Sequence, residues 1–202
     1  MFAPGGAKLT DAEQAAVESA IAAVLDGAPP VVSGAEVGSV LTDDGGLDAY
    51  AASVVACLEG RDLGGMRVVV DCANGANSTV APEVLRSLGA TVSVLAADPD
   101  GTNINHDVGA THPDALVLAV RANHADYGIA LDGDADRLQV VDAAGRLYNG
   151  DELLYLMARE RMGRDELVPG VVGTLMTNMA VELALAERGV QLVRAKVGDR
   201  YV

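Results

Sequence analysis

The sequence predicts a doubly wound α/β fold, with mostly parallel sheets and helices on both faces, arranged as one complete domain and one partial domain. Three observations carry this reading. Short apolar runs (Met66 to Asp71, Thr91 to Leu95, Tyr127 to Leu131, Val171 to Leu175, Val190 to Ala195) alternate with helical patterns, as β–α–β units require. The runs are separated by turn residues such as Asn74-Gly75 and Ala143-Ala144-Gly145. Val68, Val69 and Val70 are consecutive, which suits a strand buried on both faces rather than one face.

The elements follow in order. Thr10-Asp11-Ala12-Glu13 is a capping box, and an alanine-rich helix runs from it to about Leu25 with Ala16, Ala20, Ala23 and Val24 at helical spacing. Gly27 and Pro29-Pro30 end it, and residues 28–46, rich in Gly, Pro, Ser and Asp, read as a linker with one short strand. A helix spans about Leu47 to Leu58, and the Met66–Asp71 strand follows. After the Asn74-Gly75 turn, a helix begins around Pro82, where the missing N–H costs nothing, and ends at Gly89. The Thr91 strand, a polar turn-rich stretch from Asp98 to Pro113, and a helix to about Asn123 come next. The Tyr127–Leu131 strand resumes after its loop at Gln139–Asp142, and a turn leads into Leu147-Tyr148. A helix over Asp151–Met162, a strand, a helix over Met179–Glu187 and a last strand complete the chain.

Composition narrows the function. The 202 residues carry a net charge of −15, a field that repels nucleic acid and anionic membrane surfaces. Trp is absent and Phe occurs once, which leaves no aromatic platform for stacking bases. No apolar run is long enough to span a membrane, and the start has no leader pattern, so a cytoplasmic protein without nucleic-acid or membrane partners is expected. Two cysteines are too few for a disulfide framework, and both Cys57 and Cys72 read as small core residues. A phosphorylated substrate would also be repelled unless a cation or local arginine reverses the sign at its site.

The sharpest signal is Leu131-Asp132-Gly133-Asp134-Ala135-Asp136-Arg137, three carboxylates delivered by an apolar strand. In an extended segment, alternate residues point to one side, and three carboxylates there call for a neutralising cation. Oxygen-only ligands suit Mg²⁺. Gly133 lets the backbone bend between ligands, and Arg137 adds a planar donor suited to phosphate. The competing reading is a solvated acidic turn. A calcium EF-hand is excluded, because its sixth and twelfth positions would be Arg137 and Ala143. Among other tempting residues, His106 and His112 have no evident orienting partner, His124 reads as exposed, and Ser78 and Thr79 lack a base.

The loop Asp132-Gly133-Asp134-Ala135-Asp136-Arg137 resembles the metal-binding loop of the α-D-phosphohexomutases. Further stretches resemble that family's phosphoglucosamine mutase branch: Val70-Asp71-Cys72-Ala73-Asn74-Gly75-Ala76, Asp100-Gly101-Thr102-Asn103-Ile104-Asn105 and Thr111-His112-Pro113. So do Val172-Gly173-Thr174-Leu175-Met176-Thr177-Asn178 and Ala195-Lys196-Val197-Gly198-Asp199-Arg200-Tyr201-Val202. Several matches in order over nearly the whole chain are more specific than any one.

The resemblance implies a division into the tail of the family's first domain (1–27), a linker (28–46), the second domain with its metal loop (47–148) and an incomplete third domain (149–202). It implies interconversion of glucosamine 6-phosphate and glucosamine 1-phosphate by way of a phosphoserine and a bisphosphorylated sugar, with Mg²⁺ as cofactor. By the same resemblance Asp132, Asp134 and Asp136 are the metal ligands and Arg137 meets the phosphoryl group. Lys196, Asp199 and Arg200 contact a small phosphorylated amino sugar, although that segment reads equally as a strand-end turn with solvated charges.

The family's Ser-His-Asn loop does not occur among these residues, so no catalytic serine is assigned and the chain alone is expected to be inactive. Nor does the family's Gly-Glu-x-Ser-Gly-His sugar-reading loop occur. A truncated third domain would expose apolar surface, and self-association follows as an expectation. Two alternatives stay open: a phosphatase of the haloacid-dehalogenase type, despite Asp136 standing where that pattern wants Thr or Val, and a non-catalytic binding module of the same fold.

Overall fold

In the computed structural model, which describes residues 3–27, 32–42, 45–198 and 201–202, the chain divides into two units, Met1–Asp44 and Gly45–Val202. In the first unit the Thr10 hydroxyl accepts from the Glu13 N–H, and the Glu13 carboxylate accepts from the Thr10 N–H at 2.8 Å. This reciprocal cap starts α1 (Asp11–Leu25), which buries none of its residues despite the spacing of its apolar positions. Residues 32–42 hold a 3-10 turn at Gly34–Glu36 and no strand, unlike the sequence expectation; residues 28–31 and 43–44 lie outside the described ones.

The second unit begins with α2 (Gly46–Ala56) and β1 (Arg67–Asp71), followed by α3 (Val80–Ser87) and β2 (Thr91–Leu95). Next come α4 (Asp114–Ala122), β3 (Tyr127–Leu131), β4 (Leu138–Asp142) and β5 (Leu147–Tyr148). The five strands form one sheet in the order β2-β1-β3-β4-β5. The β2–β1–β3 half is parallel and the β3–β4–β5 half antiparallel. The segment after the acidic loop therefore does not carry the strand onward: it turns back along β3, with Leu131 opposite Leu138.

Helices cover both faces, because consecutive residues of β1 point opposite ways. Val69 faces α4, where Leu116, Val120, Ala130 and Val141 are fully buried with it. Gly128 makes that contact close: a Cβ there would stand 2.5 Å from Val120 Cγ2. Val70, Ile129 and Leu131 line the opposite face, beneath α2 and α3. Each such aliphatic side chain contributes about 1.5–3 kcal/mol when removed from water.

Cys72 belongs to this core, but Cys57 does not. Cys57 caps the C-terminus of α2, whose packed side consists of Ala51, Val54 and Val55, with Leu58 just beyond the helix packing alongside them, and its thiol donates to the Ser53 carbonyl at 3.4 Å. The expectation of two core cysteines fails at that position.

The second sheet pairs β6 (Gly170–Thr174) with β7 (Gln191–Ala195) in parallel, with α5 (Gly150–Gly163) and α6 (Met179–Ala186) packed around Ala158, Val181, Leu185, Val190 and Leu192. Helix α5 starts one residue earlier than the sequence suggests, on an Asn149–Glu152 capping box. Arg194 ties the two strands to α6: its Nη2 lies 2.7 Å from Glu182 and its Nη1 donates to the Thr177 carbonyl at 2.8 Å. Among the described residues no helix is long and apolar enough to cross a membrane.

Candidate metal centre

Because β2, β1 and β3 are parallel, the loops leaving them gather at one edge of the sheet, the place where open α/β sheets present their chemistry. Residues 132–137 leave β3 as the tip of the β3–β4 hairpin. Asp132, Asp134 and Asp136 each bring a carboxylate oxygen within 4.8 Å of the others, with Asp132 buried and the other two exposed.

The loop is a tight turn and not an extended segment. The Ala135 N–H donates to the Asp132 carbonyl at 3.0 Å, and Ala135 itself has φ 59°. The Arg137 N–H donates to Asp132 Oδ1 at 3.0 Å, and the Arg137 Nε lies 3.2 Å from Asp132 Oδ2 and 3.8 Å from Asp136. Thus the carboxylates converge, as expected, through a turn rather than through strand alternation.

Gly133 also has another role than bending. It lies between two neighbouring loops: a Cβ on it would stand 2.6 Å from Ile104 Cδ1 and 2.8 Å from Asn105 Nδ2. On the other side, a Cβ on Gly75 would stand 2.3 Å from the Gly133 carbonyl oxygen. The Ala76 N–H donates to that same oxygen at 2.8 Å. Gly75 needs glycine for this close backbone approach, whereas the atoms nearest a Cβ on Gly133 are side-chain ends of Ile104 and Asn105.

Electrostatics fit a cation. The Asp136 carboxyl titrates above the usual aspartate range, first through desolvation and then through repulsion from Asp134 and Asp132, with Arg137 opposing. The three ligand candidates are all carboxylate oxygens, the donor set of a hard ion such as Mg²⁺. Both ion pairs of Arg137 use Nε, and the side chain as a whole is 67% exposed.

The remaining sequence candidates lie elsewhere. Lys196 stands at the C-terminal end of β7 in the second sheet, its Nζ 5.7 Å from the centre of the Tyr201 ring. Asp199 and Arg200 lie outside the described residues. The His106 Nε2 is 3.7 Å from Asp107, both exposed, and the His112 Nδ1 is 3.2 Å from the Thr111 hydroxyl. Ser78 donates to the Gly75 carbonyl at 2.8 Å and closes the turn. Burial, reinforced by Asp71, pushes the Cys72 thiol up to about 11, which makes it a poor nucleophile.

Sequence reasoning missed Asp71. Its carboxyl group is fully buried at the end of β1 and accepts from the Ala73 N–H at 3.0 Å and the Gly109 N–H at 2.8 Å. An acidic residue closing the apolar run Val68–Val70 was the available signal.

Comparison with known proteins identifies the fold's relatives. Residues 48–145 match the sequence model of phosphoglucomutase/phosphomannomutase alpha/beta/alpha domain II, and residues 149–202 match that of domain III. A phosphoglucosamine mutase from Paracidovorax citrulli is 58% identical over the whole chain, and one from Paraburkholderia phytofirmans is 69% identical over 141 residues, 70% of this chain and 31% of that protein. The chain spans 45% of the length of the Paracidovorax relative.

Among solved structures, a phosphoglucomutase/phosphomannomutase family protein from Burkholderia thailandensis superposes with TM-score 0.71 at 26% identity, over 95% of this chain and 40% of that one. The Aspergillus fumigatus N-acetylphosphoglucosamine mutase, solved with GlcNAc-6P and magnesium, shares the fold over 76% of this chain and 34% of its own, with TM-score 0.52 at 23% identity. With residues 48–145 and 149–202 accounted for in this way, the haloacid-dehalogenase alternative finds no support. The chain belongs to the phosphoglucomutase/phosphomannomutase family, the α-D-phosphohexomutases, and within it resembles the phosphoglucosamine mutases.

Proposed function

We propose that this chain supplies the metal loop and adjoining cleft of a cytoplasmic phosphoglucosamine mutase, which interconverts glucosamine 6-phosphate and glucosamine 1-phosphate. The observation that carries the reading is the convergence of Asp132, Asp134 and Asp136 beside Arg137. The names of the similar proteins support the substrate class.

Asp132, Asp134 and Asp136 hold Mg²⁺ in this reading. Bound there, the ion withdraws charge from a phosphoryl group in transfer. Asp132 fixes the loop through the Arg137 N–H, and the Arg137 guanidinium offers its outer edge to phosphate oxygens as a planar pair of donors. Lys196, Asp199 and Arg200 serve as contacts to the phosphorylated amino sugar. The division into first-domain tail, linker, second domain and third-domain portion belongs to the same reading.

Without a Ser-His-Asn loop in these 202 residues there is no serine to carry the phosphoryl group, so the chain alone binds Mg²⁺ but does not turn over sugar phosphates. Exposed Val172, Leu175, Met176, Met179 and Val193 give it a surface for self-association at high concentration, read by sedimentation velocity.

Calorimetric titration with Mg²⁺ tests the metal reading. The unmutated chain gives a binding isotherm, and Asp134→Asn loses it. An unmutated chain with no Mg²⁺ heat overturns the assignment of the ligands. Interconversion of glucosamine phosphates by the purified chain overturns the inactivity.

A further inference from the structure

We propose that Asp71 is a positioning residue for the acidic loop. It is too far along the chain from residues 132–137 to be a ligand by local spacing, and both its carboxyl oxygens are occupied by backbone donors. A fully buried carboxyl group is costly unless its oxygens are satisfied, so its presence asks what those two bonds secure.

Each bond leads to Gly133. The first holds the Ala73 N–H and with it a turn in which Ala73 and Asn74 both take left-handed backbone, at φ 52° and 49°. Two such residues in succession persist only when surrounding contacts over-determine them. That turn delivers Gly75 and Ala76 against one side of Gly133, where the Ala76 N–H donates to the Gly133 carbonyl. The second bond holds the Gly109 N–H. Gly109 has φ 77° and sits so close to Leu131 that a Cβ would stand 2.5 Å from the Leu131 carbonyl oxygen. The same long loop places Ile104 and Asn105 on the other side of Gly133, with the Asn105 N–H donating to the Ala73 carbonyl at 2.9 Å. One carboxyl group therefore fixes both walls between which the acidic loop is set.

The inference rests on the proposed cation site for its first test and not for its second. In the first, Mg²⁺ is titrated into the chain, Asp71→Asn and Leu185→Ala, the last being a fully buried residue of the second sheet's core. All three are measured at a temperature where each is folded. Asp71→Asn weakens Mg²⁺ binding by about tenfold or more, as loss of an outer-shell partner does, and Leu185→Ala leaves it within about twofold. Equal shifts in the two variants, or an unchanged affinity in Asp71→Asn, overturn the proposal.

In the second test, amide hydrogen exchange is followed in metal-free protein. Protection of the Ala76 and Arg137 amides falls in Asp71→Asn relative to the amides of β6 and β7. A uniform loss across both sheets overturns the proposal. If the unmutated chain binds no Mg²⁺, the metal reading fails and this exchange pattern alone decides the positioning role. If Asp71→Asn does not fold, the unmutated chain is exchanged under rising denaturant. The Ala73, Gly109, Ala76 and Arg137 amides then open together as one unit, and separate openings overturn the proposal.

Discussion

Replacing Gly75 with alanine adds one methyl group at the tightest point of the site. The new Cβ would stand 2.3 Å from the Gly133 carbonyl oxygen and 2.6 Å from its Cα. Carbon and oxygen sit comfortably no closer than about 3.3 Å, so the backbones must part by about 1 Å. The neighbour is backbone, and no flexible side chain can swing away. Parting lengthens the 2.8 Å bond from the Ala76 N–H to the same carbonyl beyond useful range. Overpacking costs about 1–3 kcal/mol and the lost bond about 0.5–1.5 kcal/mol, so Gly75→Ala destabilises by about 2–4 kcal/mol. At about 2–4 °C per kcal/mol for a chain of this size, Tm falls by roughly 5–15 °C. Urea denaturation and calorimetry read the loss, with Gly150→Ala, where a Cβ meets nothing within 4 Å, as the comparison. A Gly75→Ala chain within about 0.5 kcal/mol of the unmutated one would refute the reasoning, since that is the ordinary effect of a surface change.

Further outcomes follow from the electrostatics and the core. Protonation of Asp136 competes with a cation, and its carboxyl titrates above the usual aspartate range, so Mg²⁺ affinity declines on acidification before an ordinary aspartate at about 3.9 would protonate. Arg137→Gln removes the one positive neighbour that lowers Asp136 and moves that decline to higher pH, as calorimetry across a pH series will read. Asp142 is held below its usual range, first by the Arg146 backbone N–H and also by the Tyr148 hydroxyl and the Ala144 N–H. Its contribution to stability is therefore present above about pH 3.9 and lost as pH falls through the lower folded value, so Asp142→Asn destabilises at pH 7 and the difference shrinks on acidification below that range in urea melts. Leu185→Ala empties a fully buried position in the second sheet's core and costs about 2–5 kcal/mol by denaturation.

Local patterns were legible and long-range ones were not. The Thr10 capping box and the Thr91–Leu95 and Tyr127–Leu131 strands stand where adjacent residues place them, while the strands expected at Met66–Asp71, Val171–Leu175 and Val190–Ala195 are each offset by one residue. Asn149-x-x-Glu152 uses the same capping chemistry and starts α5 at Gly150, one residue before the start at Asp151 that the sequence suggests. The acidic triplet stood out by composition, yet the reason for its convergence, a hairpin turn with Ala135 in left-handed backbone, depends on β4 folding back onto β3. Nothing in local spacing distinguishes that from a continuing strand. Asp71 and Gly109 are 38 residues apart, and their bond exists only once β1 and the loop after β2 meet. Cys57 had apolar neighbours in sequence, but a helix shows one side inward, and its position falls outside that side.

The confinement of Gly133 between Gly75 on one side and Ile104 and Asn105 on the other bears on which ions the loop can accept. A loop free to breathe adapts its carboxylates to a large ion as readily as to a small one. This one is closed by paired strands at its base, and its Gly133 backbone is held by the Ala76 N–H and approached closely by Gly75. In the proposed reading the three carboxylates already lie within 4.8 Å of one another, so less ordering entropy would be spent on binding an ion. Mg²⁺ demands short, near-octahedral oxygen contacts, while Ca²⁺ needs longer bonds and more ligands. If Asp132, Asp134 and Asp136 hold an ion as proposed, a stiff loop would gauge ionic radius, and selectivity would reside as much in Gly75, which sets the loop's position, as in the aspartates.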